Sequence, residues 1–199
     1  MPQFDLRNIK IAKYVNTNGV VSYTNCQLAG EAITANIELR AAEGRLYAES
    51  RLAEYMRKIT GGTISLGLKY VKTDAQKIMF GMREGSRSVT PTGGTATTVT
   101  TLKLGAQDEG DYVGVAFYSP DMIDSAKKYT AVFIKKTLFG APGMSLQTAG
   151  ENIQFVTPTV SGEFLADDTA DKDMYEIAIC DSEAAAIAWV DAVLGGAGG

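Results

Sequence analysis

The clearest pattern in the chain is "TISLGLKYV" (63–71), where Ile64, Leu66, Leu68 and Tyr70 alternate with Thr63, Ser65, Gly67 and Lys69. Side chains on a strand point to opposite faces with period two, so this run predicts a strand with one buried face. "EAITANIELR" (31–40) repeats the pattern, with Ile33, Ala35, Ile37 and Leu39 on one side. "RNIKIAKYV" (7–15) and "NTNGVVSYT" (16–24) are strand-like runs separated by Asn18-Gly19, the strongest short-range hairpin signal. "DYVGVAFY" (111–118), "KYTAVFIKKTL" (128–138) and "YEIAIC" (175–180) add three more strands, the first two joined by a polar turn containing Pro120 and Asp121.

Two segments predict helix. "TDAQKIMFG" (73–81) has Thr73 followed three residues later by Gln76, a capping box, and Gly81 as a stop. "DSEAAAIAWVDAVLGG" (181–196) has Asp181 or Ser182 as its cap and Gly195 as its end. Ile187, Trp189, Val190, Val193 and Leu194 form much of its apolar side. Trp189 is read as a core anchor of that helix.

Three stretches resist a simple pattern. "AAEGRLYAESRLAEYMRKIT" (41–60) is rich in helix formers, and Leu46, Leu52, Tyr55 and Met56 make a rough helical stripe. Propensity predicts helix there, with Gly44 as an objection. "EGSRSVTPTGGTATTVTT" (84–101) is Ser/Thr/Gly-rich and predicts a long flexible loop or hairpin tip. "ENIQFVTPTVSGEFL" (151–165) reads as a strand with apolar groups on both faces: Ile153 and Phe155 on one, Val156, Val160 and Phe164 on the other. Pro158 lacks a donor, so this strand is expected at an edge or bulged near it.

The order of elements predicts one mainly β domain with one or two helices, the second of them C-terminal, and a long flexible loop. No internal repeat interrupts it. At 199 residues, 45% hydrophobic and 21% charged, the chain is long enough to bury a core without staples.

Composition then removes chemistry. There is no histidine, so the commonest general base, the His-dependent nucleophile pairs and His-ligated metal sites are excluded. Cys26 and Cys180 are too few for a structural zinc site and are expected to be reduced and partly or fully buried. The net charge of −4 and the lack of any basic run beyond two residues argue against a phosphate-binding surface. The acidic run "ADDTADKD" (166–173) lacks the glycine of a calcium loop and reads as a solvated loop. "GMREGS" and "GAPGMS" lack the Lys-Ser/Thr of a phosphate loop. No signal peptide and no membrane span are expected. No cofactor, metal or catalytic residue is assigned, and the chain is not expected to be an enzyme.

With these pieces in order, "RLYAESRLAEYMRKITGGTISLGLKYVKTDAQKIMFG" resembles the signature of the major tail proteins of long, non-contractile phage tails. The matching pieces are Leu46-Tyr47-Ala48-Glu49, Glu54, Gly61-Gly62, the strand 63–71 and the helix 73–81. "DYVGVAFY", the run from "KYTAVFIKKTLFG" to "FVTPTVSGEFLADD", and the closing "SEAAAIAWVDAVL" are similar to it as well. The stretch 84–101 is not a family hallmark.

The resemblance implies a tail-tube fold, two sheets in a sandwich flanked by a helix. It implies rings of six copies whose sheets join edge to edge, stacked into a tube in the virion through which DNA is ejected without specific binding. Tape-measure, terminator and initiator proteins are the implied partners, and the host cytoplasm is where the subunit is made. It also implies that 41–60 is not a helix but an extended arm reaching a neighbour. Arg45, Tyr47, Arg51 and Tyr55 on the arm, with Phe155, Val156, Val160 and Phe164, are the implied inter-subunit contacts. Six copies carry a formal charge of about −24, which suits a conduit that does not hold phosphate. The rival readings are a monomeric β-sandwich binding module or virion decoration protein, and the tube of a contractile injection particle.

Overall fold

The computed structural model describes residues 5–123, 125–143 and 157–196. Ile153, Phe155 and Val156 lie outside them. The chain is mainly β, with ten strands and two helices among the described residues. The strands are β1 (Arg7–Thr17), β2 (Val20–Leu28), β3 (Ala32–Ala48), β4 (Arg51–Leu68), β5 (Arg83–Val89), β6 (Thr97–Lys103), β7 (Val113–Ile123), β8 (Ala126–Phe139), β9 (Thr159–Leu165) and β10 (Tyr175–Cys180). The helices are α1 (Thr73–Phe80) and α2 (Glu183–Val193).

Eight strands form one antiparallel sheet in the order β2-β1-β7-β8-β9-β4-β3, with β10 also on β8. The fork at β8 gives the sandwich. One edge of β8 pairs with β7; the other pairs with β10 over Tyr129–Ile134 and with β9 over Lys136–Phe139. The sheet therefore divides there, and the β9-β4-β3 branch supplies the facing layer.

The core lies between these layers. Ile9 and Ile11 of β1, Val113 and Val115 of β7 and Ile134 of β8 share it with Ile64, Leu66 and Leu68 of β4 and Val160 and Phe164 of β9, all fully buried. Helix α1 adds Ala75, Ile78, Met79 and Phe80. The other faces of β1, β7 and β8 carry Ala12, Ala116, Tyr118, Ala131 and Phe133, and α2 covers them with Ala186, Val190 and Leu194. Strand β7 is consequently buried on both faces from Val113 to Asp121.

Local chemistry explains the ends of these elements. Asn18 and Gly19 both take positive φ (54° and 85°), as the mirror-image hairpin turn requires. Gly81 ends α1 in the left-handed region, and the Ser182 hydroxyl caps α2 by accepting from the Ala185 amide at 3.2 Å. The capping box at α1 does not form. Thr73 is the first helical residue, Lys72 precedes it without a side-chain cap, and Gln76 donates instead to the Val71 carbonyl at 2.8 Å.

Several expectations need correcting. Residues 41–60 are strand, as the resemblance implied and propensity did not. Of the two forms expected for 84–101, loop or hairpin tip, the structure has the hairpin, β5–β6 with its tip at 90–96. Pro120 and Asp121 are not a turn. They continue β7, and Pro120 lies beyond the last residue pair with β1, Arg7–Tyr118, so its missing donor breaks no ladder bond. Strand β9 is central, not an edge, and it begins after Pro158, whose carbonyl accepts from the Leu68 amide at 3.0 Å. Along β9, Val160, Gly162 and Phe164 point inward while Thr159, Ser161, Glu163 and Leu165 point out.

Candidate interaction surface

The feature that stands apart from the body is the β3–β4 hairpin beyond Arg40 and Gly61. Its strands pair from Ala41–Ile59 to Ala48–Arg51, and the tip residues Glu49 and Ser50 both have positive φ (51° and 62°). The hairpin leaves the body at a bulge, where the ladder shifts between Arg40–Gly61 and Ala41–Ile59. Every residue from 42 to 60 is exposed. Strand β9 covers β4 only from Gly62 to Gly67, so both edges of the arm are unpaired among the described residues.

Its surface is apolar for so exposed an element. Met56 is 73% exposed and Tyr47 62%, and Leu46, Leu52, Tyr55 and Ile59 are exposed beside them. Directly opposed residues share a face, so Arg45 with Tyr55, and Tyr47 with Leu52, lie on one side of the ribbon. The Arg45 guanidinium sits 5.7 Å from the centre of the Tyr55 ring. Arg51 pairs with Ala48 and lies on the other side. Three of the four arm residues singled out from the sequence are thus brought together, and Arg51 is separated from them. Leu52 and Ile59 belong to the same side and were not singled out as contacts, their apolar character near Tyr55 being the available signal; Met56, opposite Gly44, lies on the other side with Leu46.

Val160 and Phe164 do not belong to it. Both are fully buried in the subunit's own core. Their assignment to inter-subunit contacts is corrected: the inward phase of β9 consumes them in the sandwich. Phe155 and Val156 lie outside the described residues.

A second exposed apolar row lies on β10, where Tyr175, Ile177 and Ile179 are 40%, 54% and 63% exposed. They oppose Ile134, Val132 and Thr130 of β8 and so continue its inner face past the end of the core. No charge pattern or turn marks them in the sequence beyond simple alternation.

The polar clusters are structural ties. Lys136 contacts both Asp168 oxygens at 2.8 and 2.9 Å and lies about 5 Å from the ring centres of Tyr14 and Tyr112. The Tyr14 hydroxyl donates to Asp168 at 2.9 Å and accepts from its amide at 3.0 Å. Lys136, Asn16 and Tyr14 together hold the Asp168 carboxyl down at about 2. Lys135 reaches Asp167 and Asp173. The acidic loop is therefore pinned to β8 by two lysines, not simply solvated.

Among the described residues, no group of three or more carboxylates or thiols is placed to hold a metal ion. Cys26 and Cys180 are free and half-buried, and burial pushes both thiols up. An open groove of about 520 Å³ beside Phe80, Tyr112 and Leu138 contains Asp108 and Glu109. Asp108 is already engaged, accepting from the Gly105 amide at 2.6 Å and from Arg83 at 3.0 Å. No described helix is long and apolar enough to cross a membrane. Neither a protein-family model nor a curated protein matches the sequence.

Proposed function

We propose that this chain is a structural subunit that works by self-association, and that its product is a phage tail tube. In this reading rings of six copies stack into the conduit for DNA, tape-measure and end proteins are the other partners, and the subunit performs no catalysis. The observation that carries it is the exposed arm of residues 41–60. A two-stranded ribbon alone in water is marginally stable. One with open edges and six exposed large apolar side chains gains its stability from something laid against it. The double-layered body with a covering helix agrees with the tail-tube fold that the resemblance implies. The absence of histidine and the engagement of Asp108 favour a structural role over hydrolysis.

Negative-stain electron microscopy of the purified chain across protein and salt concentration tests the reading. Hollow tubes or six-fold rings are expected. Compact single subunits at every concentration, with or without seeding by an initiator complex, would overturn it in favour of a monomeric binding module.

A further inference from the structure

Two surfaces of this chain lack complementary things. Among the described residues strand β10 pairs only with β8, so its outer edge presents unpaired backbone groups beside Ile177 and Ile179. Its protection is slight: β10 contains no lysine, no proline and no register shift, and Glu176 is its one charged residue. The arm presents the converse, a ribbon whose edges are open among the described residues, with Leu52 and Met56 exposed.

Their charges are also complementary. The arm holds four basic residues, Arg45, Arg51, Arg57 and Lys58, against three glutamates, in a chain whose net charge is −4. Arg51 and Lys58 make no ion pair among the described residues. Around β10 the imbalance is reversed. Glu176 on the strand and Asp171 in the loop before it make no ion pair among the described residues, and the segment 166–181 that holds them has six acidic residues against Lys172 alone.

We infer that the arm of one copy docks along the outer edge of β10 of a second copy. The ribbon adds to the sheet beyond β10, its apolar side chains cover Ile177 and Ile179, and Arg51 or Lys58 approaches Glu176 and Asp171. The contact is heterologous, since arm and receptor are different surfaces, and it repeats from copy to copy. It rests on the self-association reading and names the receptor which that reading leaves open.

A mixed cross-linking experiment tests it. In a background with Cys26 and Cys180 replaced by alanine, one preparation carries Ile177→Cys and a second carries Leu52→Cys or Met56→Cys. All three positions are exposed, so folding is preserved, and circular dichroism verifies this. The two preparations are mixed and treated with a short bismaleimide. The expected product is a heterodimer formed on the order of tenfold faster than with a control cysteine at Thr95 on the β5–β6 tip, because docking raises the effective concentration of one thiol at the other. Rates equal to the control at both arm positions would overturn the contact. The same mixtures viewed by microscopy keep the two claims apart. Tubes without the cross-link overturn this contact and leave the tube; the cross-link without tubes upholds the contact and overturns the tube.

Discussion

Phe164 occupies the space that a side chain on Gly62 would need. A Cβ on Gly62 would meet the Phe164 Cζ at 2.3 Å and the Glu38 carbonyl oxygen at 2.3 Å. The close approach lets β9 drive a full aromatic ring into the core at the point where the arm leaves the body. Gly62→Ala is expected to destabilise the subunit by about 1–3 kcal/mol through overpacking. Phe164→Ala is expected to cost about 3–5 kcal/mol through the cavity it leaves. Because the residues touch, the double variant is expected to cost less than the sum. Urea denaturation midpoints of the four proteins measure this.

Helix α2 is the lid over the second face of β1, β7 and β8. Its one tryptophan, Trp189, stands edge-on to Phe133 with ring centres 6.5 Å apart, so its fluorescence reports docking of the helix. Leu194 is fully buried. Leu194→Ala is expected to destabilise by about 2–5 kcal/mol, seen as a lower midpoint in the Trp189 fluorescence transition. An unchanged midpoint would mean that the helix does not dock as described.

The Asp168 cluster gives a pH signature. Its carboxyl titrates at about 2 in the folded chain because Lys136, Asn16 and Tyr14 favour the charged form. A depressed folded value means the contribution to stability is present above the unfolded carboxylate range, about 3.9, and is lost as pH falls toward 2. Asp168→Asn is therefore expected to flatten the fall in melting temperature between about pH 4 and pH 2. At the alkaline end, burial raises the Tyr14 and Tyr118 hydroxyls to about 12. Their contributions are full below the unfolded tyrosine value and disappear as pH rises through 12. Ultraviolet titration of phenolate should show these two ionising after the exposed tyrosines.

Arm substitutions should separate folding from assembly. Met56→Glu and Leu52→Asp replace exposed side chains, so subunit stability is expected to change by no more than about 0.5 kcal/mol. Assembly, followed by light scattering, is expected to be lost. A large fall in melting temperature would instead mean that these residues support the subunit's own fold.

Much of the fold was legible because local signals agreed with it. Strict alternation at Ile64, Leu66 and Leu68, the Asn18-Gly19 turn, Gly81 and Ser182 each act within a few residues, and the structure uses them as read. What was illegible depends on distant partners. The arm turns at Glu49-Ser50, which carries no glycine, and its helix-forming residues are held as strand by a ladder continuous with Ile37–Ile64 in the body. Pro120 is tolerated within β7 because β1 ends at Arg7, which no local pattern reveals. At the candidate surface, Arg45, Tyr47 and Tyr55 came from the resemblance, and the structure exposes them on one side of the arm. Val160 and Phe164 were misplaced because apolar alternation does not say whether a face meets its own core or a neighbour. Ile177 and Ile179 were passed over because exposure of a short apolar strand appears only once the sheet order is known.

The most direct measurement is sedimentation velocity of the intact chain beside a variant in which residues 43–57 are replaced by a two-residue Asn-Gly turn, which keeps the Ala42–Lys58 pair in register. The intact chain is expected to form fast-sedimenting polymers as concentration rises, while the shortened variant stays a folded single subunit. Polymers of equal size from both proteins would show that the arm is not what joins the copies.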